Sequence, residues 1–144
     1  MTAPAATDTR LLNILLVEDD EVDVMNVKRA FQKNHIANPL FVATNGVEAL
    51  ELLRGGRIPR ERRMVLLDLN MPQMNGIEFL RELRRDPELH STPVVVLTTS
   101  NDERDRIEAY DLNVAGYLLK PVTFSNFCDV MATLNKYWAL VELP

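Results

Sequence analysis

The stretch ILLVEDD, residues 14–20, places four apolar residues directly before three acidic ones. The apolar run is continuous rather than alternating, which is typical of a strand buried on both faces of a parallel sheet. Comparable short apolar runs recur along the chain at residues 40–43, 64–67, 94–97 and 117–119. We therefore predict five buried parallel strands.

The longer segments between these runs have helical periodicity, and several begin with a capping residue. Three of them place a capping side chain three residues before a glutamate: Asn45 and Glu48, Asn75 and Glu78, Ser100 and Glu103. Regular alternation of strands and helices implies right-handed crossovers, with helices on both faces of the sheet. The predicted fold is a doubly wound α/β domain whose five-stranded parallel sheet has the flavodoxin-like order 2-1-3-4-5.

Length and composition indicate one globular domain, since 144 residues with 47% hydrophobic content can form a core without disulfides. We assign residues 1–11 to a disordered lead, 12–136 to the folded domain and 137–144 to an apolar tail. A net charge of −5 argues against nucleic-acid binding, which needs clustered basic residues. No run approaches the roughly 20 apolar residues of a membrane span. Cys128 is interpreted as a reduced core thiol, so we expect a cytoplasmic protein.

The residues that directly follow the apolar runs are polar or charged and point to chemistry. They are Glu18 and Asp19 after the first run, Asp68 after the third, Thr98 after the fourth and Lys120 after the fifth. In an open α/β sheet the ligand site lies outside the carboxyl ends of the strands, and in the order 2-1-3-4-5 the first and third strands are neighbours. Three carboxylates sharing one crevice repel each other unless a cation neutralises them, and oxygen ligands suit Mg²⁺.

Some of these residues also have a simpler interpretation. The acids at 18–20 fit helix capping as well as metal ligation, and both interpretations stay open. Asp68 is explained poorly by capping, because the Asn70, Met71 and Pro72 that follow form a turn. A lysine that ends a buried strand normally needs an anionic partner, which favours a role for Lys120.

Four segments together resemble the signature blocks of CheY-like response-regulator receiver domains. These segments are ILLVEDD (14–20), LLDLNMPQMNG (66–76), PVVVLTTS (93–100) and GYLLKP (116–121). By this resemblance Asp68 is the phosphoacceptor. Asp19, Asp68 and the backbone carbonyl of Asn70 would bind Mg²⁺, and Glu18 would reach the ion through water.

The resemblance also implies roles for residues at the last two strand ends. Lys120 would pair with the acceptor carboxylate and its phosphoryl oxygens, Thr98 would donate a hydrogen bond to the phosphoryl group, and Tyr117 would be the aromatic switch. The peptide bond between Lys120 and Pro121 is expected to be cis. Two departures from the family pattern are the Glu-Asp pair, where Asp-Asp is common, and Thr99, where a smaller residue is common.

A receiver of this kind accepts its phosphoryl group from a phosphohistidine of a sensor kinase and is not otherwise an enzyme. The segment KPVTFSNF and the terminal YWALVELP resemble small response regulators paired with phytochrome-type histidine kinases. The output would be the surface of the fourth helix, fifth strand and fifth helix. Two alternatives are a haloacid-dehalogenase-like phosphatase, whose motif needs a second Asp where Asn70 stands, and a flavodoxin-like flavin binder, whose phosphate would be repelled by the acids at 18–20.

The end of the chain predicts an apolar surface beyond the needs of a minimal receiver. A fifth helix would use Phe127, Val130, Met131 and Leu134 to cover the sheet, yet the apolar residues continue to the end of the chain. The tail either folds back on its own domain or is buried between two copies. We favour the homodimer, because aromatic residues such as Tyr137 and Trp138 dominate such interfaces.

Overall fold

The computed structural model describes residues 11–33, 35–71 and 73–120, together with positions 126, 129, 132, 133 and 136. In the continuous ranges nine elements alternate: β1 (Asn13–Val17), α1 (Glu21–Lys33), β2 (Leu40–Ala43), α2 (Gly46–Arg54), β3 (Arg63–Leu67), α3 (Gly76–Arg85), β4 (Val94–Thr98), α4 (Glu103–Asp111) and β5 (Gly116–Leu119). The five separate positions are all helical, within the region where a fifth helix is predicted. The apolar face of that helix, Cys128, Pro121 and residues 137–144 lie outside the described residues.

The five strands form one parallel sheet in the order β2-β1-β3-β4-β5, which confirms the predicted topology. Val17 at the end of β1 is level with Ala43 of β2 and with Leu67 of β3. The main chain leaves these strands together, because the Asp68 amide donates to the Val17 carbonyl at 3.0 Å. The residues that follow β1 and β3 therefore emerge side by side at one edge of the sheet.

Alternate residues of the strands supply two separate apolar layers, as expected when helices cover both faces of a sheet. On one face, Leu15 and Val17 of β1 pack in a core with buried residues of α2, α3 and α4. On the other face, Ile14 and Leu16 pack with the buried side of α1. Both faces of the sheet are therefore covered by helices, and the loops lie at its carboxyl edge.

The structure confirms two of the predicted helix caps and corrects the third. The side chains of Asn45 and Asn75 accept from the amides three residues on, and Asn75 forms a complete capping box. The prediction for Ser100 is wrong, because α4 is capped by Asp102, whose carboxylate accepts from the Arg104 amide at 2.8 Å. Ser100 instead donates its hydroxyl to Asp105 at 2.6 Å, inside a longer loop.

Strand ends differ by one residue from the apolar runs. Asn13, Arg63 and Gly116 begin strands earlier than predicted, since backbone pairing does not require an apolar side chain. Thr98 is the last residue of β4 rather than the first residue after it. Among the helices in the described ranges, none combines the length and apolar character needed to cross a membrane.

Candidate functional site

Three acids meet where β1 and β3 end. Glu18, Asp19 and Asp68 each offer a carboxylate oxygen, and these oxygens lie within 4.8 Å of one another. Glu18 and Asp68 are buried, with 2% and 6% of their surface exposed, whereas Asp19 is exposed. Asp20 has a different role, because its Oδ1 accepts from the Val22 amide at 2.8 Å and caps α1. The acids at 18–20 are therefore divided between capping and the cluster.

The pKa of Glu18 departs strongly from its ordinary value. Burial raises the pKa of Glu18 to about 7, the hydrogen bond from Lys120 opposes this rise, and the charge of Asp68 adds to it. The raised pKa thus reflects mainly the removal of this carboxyl group from water, with the neighbouring negative charge as a smaller contribution. The donor set is all oxygen and open to solvent at Asp19, so the residues present fit a hard divalent cation such as Mg²⁺.

Lys120 lies beside this acidic cluster and is only 12% exposed. Its Nζ is 2.5 Å from Glu18 Oε1 and 2.7 Å from Asp23 Oδ2, but 4.0 Å from Asp68 Oδ2. Burial alone would lower the pKa of Lys120, but hydrogen bonds to Asp23 and Glu18 outweigh it and raise the pKa. The expected anionic partners are present, although Asp68 is the most distant of the three.

Thr98 and Tyr117 are both tied to Ser100 in the loop between β4 and α4. Thr98 is fully buried, and its Oγ1 accepts from the Ser100 amide at 3.2 Å. The Tyr117 hydroxyl donates to the Ser100 carbonyl at 2.9 Å. The guanidinium of Arg106 lies 5.5 Å from the centre of the Tyr117 ring, within cation–π distance. Thr98 and Tyr117 therefore share Ser100 as a hydrogen-bond partner.

The loop between β3 and α3 places Asn70 next to Asp68. The Asn70 amide is 3.3 Å from Asp68 Oδ1, and its side-chain nitrogen is 3.5 Å from Thr99 Oγ1. The loop closes tightly at Gly76, where a Cβ atom would lie 2.6 Å from the Asp68 carbonyl oxygen and 2.7 Å from Leu69 Cα. Only glycine allows this approach of α3 to the backbone that carries Asp68.

Sequence reasoning missed Asp23 and Arg106 as neighbours of the site. Both lie near the N-terminal end of a helix rather than at a strand end. Asp23, in the first turn of α1, has the ordinary explanation of an acid that stabilises a helix N-terminus. A search for acids one helical turn beyond the Glu18-Asp19 pair would have identified Asp23. The predicted cis bond at Pro121 lies outside the described residues.

Comparisons with known proteins agree with this geometry. The family model "Response regulator receiver domain" matches residues 14–132. Response regulator Rcp1 of Synechocystis is 36% identical over 135 residues, covering 91% of this chain and 92% of Rcp1. A protein of Methanothrix harundinacea named "Probable methanogenesis regulatory protein FilR2" is 39% identical over 130 residues, covering 87% of this chain and 82% of FilR2.

Solved structures give the same result. The phosphorylated cyanobacterial phytochrome response regulator RcpA superposes with a TM-score of 0.75 at 33% identity, covering 93% of this chain and 99% of RcpA. The Mn²⁺-bound form of Rcp1 has a TM-score of 0.72 at 35% identity, covering 92% of this chain and 99% of Rcp1. These similarities support neither the phosphatase nor the flavin-binding alternative. With its sheet order, its acidic edge and a family match over most of its length, the chain belongs to the response regulator receiver domain family.

Proposed function

We propose that the chain is a two-component signalling protein whose Asp68 accepts a phosphoryl group from a phosphohistidine of a sensor kinase. The observation that carries this proposal is the position of Asp68, a buried carboxylate inside a three-acid cluster and 4.0 Å from the ammonium of Lys120. An anionic nucleophile surrounded by sites for two cations is the arrangement that phosphoryl transfer requires.

In the proposed reaction an oxygen of the Asp68 carboxylate attacks the phosphorus, and the bond from phosphorus to the donor's imidazole nitrogen breaks. Asp19, Asp68 and the Asn70 carbonyl would hold Mg²⁺, with Glu18 reaching it through water. When bound, the ion would supply positive charge that stabilises the phosphoryl group during transfer. Lys120, which follows β5 at the same carboxyl edge of the sheet, provides a second positive charge.

After transfer, Thr98 is the proposed sensor of the new charge. In the resting structure its hydroxyl oxygen accepts from the Ser100 amide, and after phosphorylation the hydroxyl would donate to a phosphoryl oxygen. The loop that holds the Tyr117 hydroxyl would then rearrange and let the ring turn inward, which is a shift between two populated states. The output surface around α4 and β5 exposes Ile107, Tyr110 and Leu119, which suits a partner contact.

The proposed kinase partner is of the phytochrome type. RcpA is a phytochrome response regulator, and it aligns with 93% of this chain. We place the protein in the cytoplasm, where such kinases present their phosphohistidine, and we propose no enzymatic activity beyond its own phosphorylation and dephosphorylation. We also propose a homodimer formed through residues 137–144 and the region before them, because a second copy would bury the apolar side chains of this tail.

Intact mass spectrometry with a small acyl phosphate tests the central step. The wild-type chain should gain one phosphoryl group with Mg²⁺ and none with EDTA, and Asp68→Asn should gain none under either condition. Asp111→Asn, which changes an exposed acid at the end of α4, is the matched control and should be labelled normally. Equal labelling of Asp68→Asn and wild type would refute the assignment.

Light scattering tests the dimer. The full chain should have twice the monomer mass at micromolar concentrations, and a chain ending at Lys136 should be monomeric. If the full chain is itself a monomer, the tail packs on its own domain. Phosphotransfer from a panel of purified histidine kinases tests the partner, and a phytochrome-type kinase should transfer fastest.

A further inference from the structure

Asp23 is an acid close to the cluster that no strand-end pattern identifies. It lies in the first turn of α1, and its Oδ2 is 2.7 Å from the Nζ of Lys120. The same nitrogen is 4.0 Å from Asp68 Oδ2, which is too far for a hydrogen bond. Lys120 is therefore hydrogen-bonded to Asp23 of α1 and to Glu18, and not to the proposed phosphoacceptor.

Glu18 and Asp23 are different kinds of partner for Lys120. Glu18 is buried and belongs to the acidic cluster, whereas the Asp23 side chain is 33% exposed and is not one of the three clustered acids. A cation bound in the cluster would offset the charge of Glu18 and weaken its attraction for the lysine. Asp23 lies outside the cluster, so in a metal-loaded site it would hold the lysine more firmly than Glu18 would.

We propose that Asp23 is a positioning residue, which holds Lys120 away from Asp68 in the resting protein and releases it when Asp68 carries a phosphoryl group. The inference rests on the proposed phosphoacceptor role of Asp68. A phosphoryl group brings a charge of about −2 and three acceptor oxygens, so it attracts the ammonium more strongly than one partly exposed carboxylate does. Retention of the phosphoryl group then depends on how readily Asp23 gives up the lysine.

The substitution Asp23→Asn should therefore improve the site for a phosphoryl group. Without the Asp23 carboxylate, Glu18 is the one hydrogen-bonded competitor left among the described residues, so Lys120 moves more readily to Asp68. Beryllofluoride, a phosphoryl analogue, should then bind about fivefold more tightly in the presence of Mg²⁺. Asp23→Glu keeps the competing charge within reach of the lysine and should restore the wild-type affinity. Asp23→Ala serves as a second variant with the same expectation as Asp23→Asn.

Glu21→Gln is the matched control. Glu21 lies in the same first turn of α1, so its substitution removes the same charge from the same helix terminus. It is exposed and makes no ion pair with any residue in the described part of the chain. A general effect of net charge or of the helix dipole would appear in both variants, whereas release of Lys120 would appear only at Asp23.

Calorimetric titration of beryllofluoride with Mg²⁺ tests the inference in wild type, Asp23→Asn, Asp23→Glu and Glu21→Gln, and in each Asp23 form combined with Lys120→Ala. The gain in Asp23→Asn should disappear when Lys120 is alanine. A gain that persists without the lysine, or equal affinities for Asp23→Asn and Glu21→Gln, overturns the role of Asp23. If one of these outcomes is found while wild type is labelled normally at Asp68, the role of Asp23 is wrong and the proposed function stands. If wild type is not labelled and binds no analogue, the proposed function fails as well.

Discussion

Lys120→Ala should make the stability of the metal-free protein strongly dependent on pH. Lys120 lies within 2.5 Å of the nearly fully buried Glu18, and removal of one member of a buried ion pair leaves an uncompensated charge. Glu18 can avoid that charge by binding a proton, since its pKa is already raised from 4.5 to about 7. The loss of stability should therefore appear mainly where Glu18 must ionise.

The sign and size of the effect follow from proton linkage. A carboxyl group whose pKa is higher in the folded protein than in the unfolded chain stabilises the fold at low pH. This stabilisation is lost as pH rises through the folded-state pKa. In wild type the loss ends near pH 7, the pKa of Glu18. Without Lys120 that pKa rises further, and the loss continues at up to about 1.4 kcal/mol per pH unit. Between pH 7 and 8.5 the mutant should lose up to about 2 kcal/mol relative to wild type.

Urea unfolding in EDTA at pH 6, 7 and 8.5 measures this difference. At pH 6 the mutant should be destabilised by no more than about 1 kcal/mol, because Glu18 is protonated in both proteins and only the partly exposed pair with Asp23 is lost. Lys28→Ala, an exposed lysine of α1, is the control and should show no pH-dependent difference. A difference between Lys120→Ala and wild type that is constant from pH 6 to 8.5 would refute the reasoning.

The same variant should still bind Mg²⁺, because Lys120 contacts carboxylates and is not a metal ligand. Removal of a competing cation should even tighten binding, and calorimetric titration checks this. Weaker Mg²⁺ affinity than wild type would mean that Lys120 organises the metal site itself. Phosphorylation of Asp68 in this variant should change the α4 and β5 surface less than in wild type, because one of its two proposed cations is missing.

Three further changes test other parts of the structure. Gly76→Ala should lose about 1–3 kcal/mol of stability and bind Mg²⁺ more weakly, because the new methyl group overlaps the Leu69 backbone; wild-type values for both would contradict the predicted clash. Arg84→Met should lose about 3 kcal/mol in urea unfolding, because the guanidinium donates to four backbone carbonyls, and a loss below about 1 kcal/mol would mean that water replaces it. Asp86→Asn should be less stable than wild type at neutral pH, and the difference should disappear in acid. The Glu88 amide and the Arg54 side chain lower the pKa of the Asp86 carboxyl group in the folded protein. The carboxylate therefore stabilises the fold above the pKa that it has in the unfolded chain, and this stabilisation is lost as pH falls through its folded-state pKa. A pH-independent difference would show that shape rather than charge matters at this position.

The sequence by itself determined the architecture and the composition of the acidic edge. Continuous apolar runs predict buried parallel strands, and the rule that ligands lie at the carboxyl ends of such strands selects Glu18, Asp19 and Asp68 without coordinates. The sequence also predicts the caps Asn45 and Asn75, because a cap depends on residues three positions apart in one chain segment. The same spacing between Ser100 and Glu103 did not produce a cap, because α4 is capped by Asp102 and Ser100 donates to Asp105 instead. Spacing within one segment therefore predicts a cap only where the surrounding loop lets the helix begin at that residue.

Only the tertiary structure decided which groups pair at that edge. Asp20 and Glu18 are chemically alike and two residues apart, yet one caps a helix and the other is buried beside Lys120. The Nζ of Lys120 is 2.7 Å from Asp23 Oδ2 and 4.0 Å from Asp68 Oδ2. This difference of 1.3 Å decides that Asp23 is hydrogen-bonded to the lysine and Asp68 is not. Distances on that scale depend on how α1 packs on the sheet. Because the strength of a charged hydrogen bond falls steeply over such distances, residue type and spacing alone could not rank the partners.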